Sequence, residues 1–178
     1  MGDLSAHFSR KELACRCCGR LQIDARLIDA LEDLRNRAGV PIAVHAGYRC
    51  PKHNLEVGGV PNSEHTLGLA ADIHIPVLSL QAMYELACQV PQFAEGGIGA
   101  YDSNFLHVDV RGRSARWARV RGKYVAIVEL VREPTLLATA AAPAAKEGQG
   151  RGEFGQPRAG LSAAPLGEPR SGLPAASG

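Results

Sequence analysis

The sequence predicts a small α+β domain, residues 5–132, built on a mainly antiparallel sheet. Three observations carry that prediction. One amphipathic helix lies early in the chain, whereas short apolar or alternating segments gather later and follow one another through tight turns. No regular strand–helix alternation of the kind that builds a parallel sheet runs through the chain. The composition also breaks near Pro134, after which the sequence is largely Ala, Gly, Pro, Ser and Glu. Residues 133–178 have too little large apolar surface to offset the entropy of ordering them, so they are expected to form a disordered tail.

Each element has a local reason. Ser9 and Glu12 in "FSRKELA" have the spacing of a capping box, with Phe8 placed as its hydrophobic staple. "IDARLIDALEDLRNRAGV" is the clearest helix: Asp24 can cap it, Leu27, Ile28, Leu31 and Leu34 make one apolar stripe, and Gly39 stops it. Ile42 to Tyr48 reads as a strand ending in a turn at "RCPKHN", and "EVGGVPNS" as a loop. "LAADIHI" is a short apolar strand between Gly68 and Pro76, and Ser79 caps a helix over "LQAMYELACQV". "GGIGAYD" and "NFLHVDVR" form a hairpin through Asp102, Ser103 and Asn104, and "KYVAIVELV" reads as one further strand.

Charge excludes little but favours no polyanion. The 178 residues carry a formal net charge of +2, and the only basic cluster, Arg111 to Lys123, reads as a solvated hairpin or loop rather than a nucleic-acid patch. No stretch approaches the ~20 apolar residues of a membrane span, and "MGDLSAHFSRKEL" has no apolar run of signal-peptide type. The chain is therefore expected to stay in the compartment where it is made, and to be a monomer.

Cys15, Cys17, Cys18, Cys50 and Cys88 are an odd count, which argues against a purely disulfide-built scaffold. "CRCCG" together with Cys50 matches no standard zinc ribbon or finger spacing. Three readings stay open for it: a small structural zinc site, one or two disulfides, or buried thiols.

The polar residues of two strands are segregated by the pleat. In "NFLHVDVR", Leu106, Val108 and Val110 fall on one face, and Phe105, His107, Asp109 and Arg111 on the other. In "LAADIHI", Ala70, Asp72 and His74 share a face opposite Ala71, Ile73 and Ile75. Neighbouring strands could thus present Asp72 and His107 to one space, with His65 returning from the preceding loop. Two imidazoles and a carboxylate suit zinc and leave a fourth position for water. Residue spacing alone also allows a hydrogen-bonded core histidine and a capping or ion-paired aspartate.

"GYRCPKHNLEVGGVPNSEHTLGLAADI" followed by "GIGAYDSNFLHVDVR" resembles the zinc D-alanyl-D-alanine carboxypeptidases and related murein endopeptidases. Their pattern Ser-x-His-x-x-Gly-x-Ala-x-Asp, with a later His, is matched by Ser63, His65, Gly68, Ala70, Asp72 and His107. The upstream Ser-Gly-Tyr-Arg turn departs at its first position, Ala46. The resemblance implies a small α+β fold shared with the hedgehog signalling domain. It implies Zn²⁺ on His65, Asp72 and His107, and a peptidoglycan peptide substrate contacted by Arg49 and Ser63. Family members often carry an acidic general base three residues before the second histidine, where this chain has Asn104. Asp109 is the leading replacement, then Asp102. Tyr101 is a further candidate substrate contact, while His53, His74 and Trp117 are expected on the surface, at a strand end and in the core or rim. Wall substrate without an export signal would be reconciled by a phage-derived enzyme released to the wall, or by a misassigned start codon. The rival function is a non-catalytic zinc domain that recognises wall fragments or a protein partner.

Overall fold

The computed structural model describes residues 2–132, and the predicted tail lies outside them. Helices α1 (Arg10–Leu13) and α2 (Ala25–Ala38) come first, followed by strand β1 (Ala43–Ala46). Two short helices, α3 (Pro51–Glu56) and α4 (Glu64–Leu67), lead to β2 (Ala70–His74). Helices α5 (Leu80–Cys88) and α6 (Pro91–Ala94) precede β3 (Gly97–Tyr101), β4 (Phe105–Asp109), β5 (Ala115–Val120) and β6 (Lys123–Val125). A 3₁₀ turn over Ile127–Glu129 follows.

The strands form one sheet in the order β1-β2-β4-β3-β5-β6, antiparallel at every pairing except the parallel β3–β5. One face is apolar: Ala71, Ile73, Ile98, Ala100, Leu106 and Val108 are buried in the main core with the α2 stripe and Phe93. Helices α5 and α6 pack on β3 and β4 from that side, and α2 packs on both helices. The opposite face of β2 and β4 carries Asp72, His107 and Asp109, as the alternation predicts. Register then matters: Asp72 pairs with His107, His107 with Gly99, and Gly99 with Trp117, so these four residues make one row across four strands.

The local signals at both early helices are realised. Ser9 Oγ accepts from the Glu12 amide while the Glu12 carboxylate accepts from the Ser9 amide at 2.8 Å, closing the capping box. Asp24 caps α2, and Gly39 ends it in the left-handed region at φ 67°. Other segments depart from expectation. Of "RCPKHN", Pro51 to Asn54 lie in a helix rather than a turn, because Pro51 at the first helical position is pre-set for α3. His65 sits on α4 and not on a loop. "KYVAIVELV" is strand only to Val125; Ile127 and Val131 are buried while Glu129 between them is exposed, and a pleat would put all three on one face, so the chain turns helically here. The basic segment supplies β5 and β6. No helix among the described residues is long and apolar enough to cross a membrane.

Candidate metal centre

The "GYR" turn and α4 are tied together through backbone. The Arg49 amide donates to the His65 carbonyl at 3.1 Å, and His65 Nδ1 donates to the Gly47 carbonyl at 2.7 Å. Gly47 is required there, since a Cβ would lie 2.6 Å from the Leu13 carbonyl oxygen. Ser63 stands at the N-cap of α4, and Gly68 ends it at φ 75°, where a Cβ would also strike the Gln22 carbonyl. The signature spacing thus describes one helical turn that aims His65 at the sheet.

His65, Asp72 and His107 meet on that face, all buried. His65 Nε2, Asp72 Oδ1 and His107 Nδ1 form a triangle with each side 3.1 Å. His65 uses its other nitrogen on Gly47, and His107 Nε2 donates to Asp109 Oδ2 at 3.2 Å. Two imidazole lone pairs and a carboxylate oxygen therefore converge. Tetrahedral zinc with bonds of about 2.0–2.1 Å separates its ligand atoms by about 3.3 Å, so the three donors fit such an ion closely. The hydrogen bonds on the outer nitrogens fix the tautomers that coordination requires.

Electrostatics agree with this fit. Burial would raise the Asp72 pKa, but the facing imidazoles outweigh it and hold the carboxyl well below its usual range. Burial holds His65 below the ordinary imidazole value, against the pull of Asp72. For His107 burial also works against the charged form, yet Asp109 and Asp72 on its two nitrogens push its pKa up. A proton and a cation compete for that ring.

Arg49 Nη2 donates to Asp72 Oδ2, leaving Oδ1 to the triangle. A cavity of about 420 Å³ opens beside the three donors, and Arg49, Ser63, Glu64, Tyr101, Arg111 and Trp117 are among its lining. Tyr101 stacks on Phe105 at 4.2 Å, and burial pushes its hydroxyl up to about 12.

Asp109, expected as the base, lies elsewhere. It is fully buried behind His107 and its carboxylate accepts from the Gly97 amide and from Arg111 as well as from His107. These donors hold it below the usual carboxylate range although burial opposes that. It contacts the nitrogen of His107 that faces away from the triangle, a placement that speaks against proton transfer and for orientation of the ring. Asn104 occupies the hairpin turn at φ 62°, a conformation asparagine tolerates well, and its carbonyl accepts from His74 Nδ1 at 2.8 Å. Asp102 accepts from the Arg121 amide at 2.7 Å in the neighbouring turn and does not line the cavity. His53 faces Glu56 at 3.7 Å.

Three cavity residues escaped the sequence reading. Glu64 was hidden as a variable position of the signature; its Oε1 lies 3.4 Å from Arg111 Nε. Arg111 shares the pleat face of His107, which was the available signal. Trp117 lies over Gly99, where a Cβ would be 2.3 Å from the indole, and its ring centroid is 5.2 Å from that of His107.

A family model described as Peptidase M15 matches residues 6–109. No curated protein is similar enough to the chain to count as a match. The matched span contains the signature helix, both ligand-bearing strands and all three converging donors. The chain belongs to the peptidase M15 family, a family of metal-dependent peptidases.

Proposed function

We propose that the chain is a zinc peptidase that hydrolyses a peptide bond in bacterial cell-wall peptide, with His65, Asp72 and His107 as the metal ligands. The observation that carries this reading is the triangle of His65 Nε2, Asp72 Oδ1 and His107 Nδ1, each 3.1 Å from the others, at the wall of a cavity. Zinc held there would supply Lewis acidity toward the scissile carbonyl and acidify a water molecule to a pKa of about 7.

The chain's own residues supply the rest. Apart from Asp72, Glu64 is the one carboxylate among the described residues that line the cavity, which supports it as general base. Glu64 accepts a proton from the attacking water as the new C–O bond forms, and returns it to the amine nitrogen as the C–N bond breaks. Arg111 holds Glu64 at that wall, and Asp109 keeps the His107 ring in its ligating orientation. Arg49 and Arg119 give the lining a cationic character suited to the carboxylates of a wall stem peptide, and the Arg49 fork can hold a planar anion with two hydrogen bonds. Tyr101, kept neutral by its raised pKa, is a hydrogen-bond donor, and Ser63 borders the same space.

The test is incubation of the zinc-loaded protein with purified peptidoglycan, followed by mass spectrometry of the released fragments. Cleavage at a terminal D-amino acid marks a carboxypeptidase, and cleavage within the peptide an endopeptidase. Glu64→Gln should keep its zinc and lose about 10²–10⁴-fold in turnover. His65→Ala and His107→Ala should lose both metal and product; full hydrolysis by either variant would refute the proposal. Asn104, at the position where relatives often carry the base, favours a second reading as a zinc domain that binds wall fragments without cutting them. Retention of intact muropeptides with no new termini would select it.

A further inference from the structure

We propose that Cys15, Cys17, Cys18 and Cys50 form a second metal centre, a closed tetrathiolate site that holds a structural zinc ion. The proposal stands apart from the peptidase reading, since it shares no residue with the cavity.

Three of the thiols come from the loop between α1 and α2, and the fourth from the N-cap of α3. The loop is closed by its own backbone: the Cys15 amide donates to the Arg20 carbonyl and the Gly19 amide to the Cys15 carbonyl, both at 2.8 Å. Gly19, at φ 68°, makes the left-handed step that this reversal needs. The reversal presents Cys15, Cys17 and Cys18 to Cys50. Cys15 and Cys17 sulfurs are 3.5 Å apart, Cys17 and Cys50 sulfurs 3.4 Å, and all four lie within 4.8 Å of one another. Zinc–sulfur bonds of about 2.3 Å in a tetrahedron put the sulfurs about 3.8 Å apart, so an ion fits with small adjustments.

Two further features favour a metal over the other readings of the cluster. Backbone amides point at sulfur: Cys50 N–H donates to Cys15 Sγ at 3.3 Å and His53 N–H to Cys50 Sγ at 3.4 Å. Such donors stabilise thiolate, the ligating form. The corner moreover has little apolar material of its own. Its buried cluster is only Cys15, Tyr48 and Cys50, and Leu21 packs against both this cluster and the main core. A loop with so little to bury needs another source of order, and four thiolates on one ion provide it. Held this way, the loop fixes the residue that follows Arg49.

The test uses the full chain, purified reduced and without chelator. Metal analysis should give two zinc ions per chain in the parent, one in His65→Ala/His107→Ala, and one in Cys17→Ser/Cys18→Ser. Cobalt(II) reconstitution separates the centres, because only thiolate ligands give intense sulfur-to-cobalt charge transfer in the near ultraviolet. That absorption should persist in the histidine variant and vanish in the cysteine variant. A single zinc in the parent without sulfur–cobalt absorption would overturn the proposal, as would thiols that alkylate at the same rate with and without metal. Should the cysteine variant fail to fold, the parent and histidine-variant spectra still decide. A protein that cleaves peptide with one zinc would sink the tetrathiolate site and leave the peptidase reading intact.

Discussion

Asp109→Asn distinguishes an orienting carboxylate from a catalytic base, because the two roles move different observables. Asp109 Oδ1 accepts from the Gly97 amide at 2.9 Å and from the Arg111 amide and Nε at 3.1 and 2.8 Å. Oδ2 accepts from Arg111 Nη2 and from His107 Nε2. Every approach to the carboxylate is a donor. Whichever way an asparagine amide is turned, its NH₂ faces N–H groups at a fully buried position. One buried donor left unsatisfied costs about 1–3 kcal/mol, and breaking a buried ion pair about 3–5 kcal/mol. Arg111 keeps Glu64 nearby and is partly exposed, so the variant should lose roughly 3 kcal/mol of stability. Loss of the His107 orienting bond should weaken zinc binding about 10–100-fold, or roughly 1.4–2.7 kcal/mol. The assay is zinc competition against a chromophoric chelator, with thermal unfolding to verify the fold and turnover measured at saturating zinc. Orientation predicts weaker binding and turnover largely restored by excess metal. Unchanged zinc affinity with turnover reduced more than about 10³-fold at saturation would mean that Asp109 handles the proton and that the reasoning is wrong.

Three further predictions concern the surroundings. Gly99→Ala puts a methyl group into the Trp117 indole and should destabilise the fold by about 1–3 kcal/mol, read by denaturant unfolding; an unchanged midpoint would show that the ring turns aside freely. Arg49→Lys cannot reproduce a two-pronged contact and should lower kcat/KM about 10²-fold when measured at saturating zinc; an unaltered kcat/KM would remove Arg49 from substrate binding. Glu32 accepts from the Ser5 hydroxyl, the His7 amide and the His7 ring at 2.6, 2.8 and 2.6 Å, tying the N-terminal segment to α2. Burial opposes its ionisation, but these donors keep its pKa below the ordinary value. The tie is therefore complete above about pH 4.3 and is lost as pH falls through the lower folded value. Protection factors of the amides of residues 5–9, taken against their intrinsic exchange rates at each pH, should fall in that window, and in Glu32→Gln they should be low throughout.

The sheet face was legible because β-strand alternation is local. Parity alone assigns Leu106 and Val108 to the core and His107 and Asp109 to the other side, and Asp24 and Gly39 bound α2 by backbone chemistry that needs no tertiary partner. The partner of Asp109 was not legible. Two residues from His107, it shares the ligand's face in any strand, but only the fold shows which imidazole nitrogen it meets. The neighbour that Trp117 meets was not legible for a similar reason. The parallel pairing of β5 with β3 depends on a crossover from β4, and no periodicity within β5 reports its neighbour. Pro51 shows the reverse case, a helix start taken for a turn because both use proline at the same place.

The vacancy at Gly99 has a consequence beyond packing. By letting the indole of Trp117 lie beside His107, it sets the single tryptophan of the chain within 5.2 Å, centroid to centroid, of a prospective ligand ring. Ultraviolet emission from this molecule is therefore a gauge of what His107 holds, proton or cation, and a titration followed in an ordinary fluorimeter needs no dye or label.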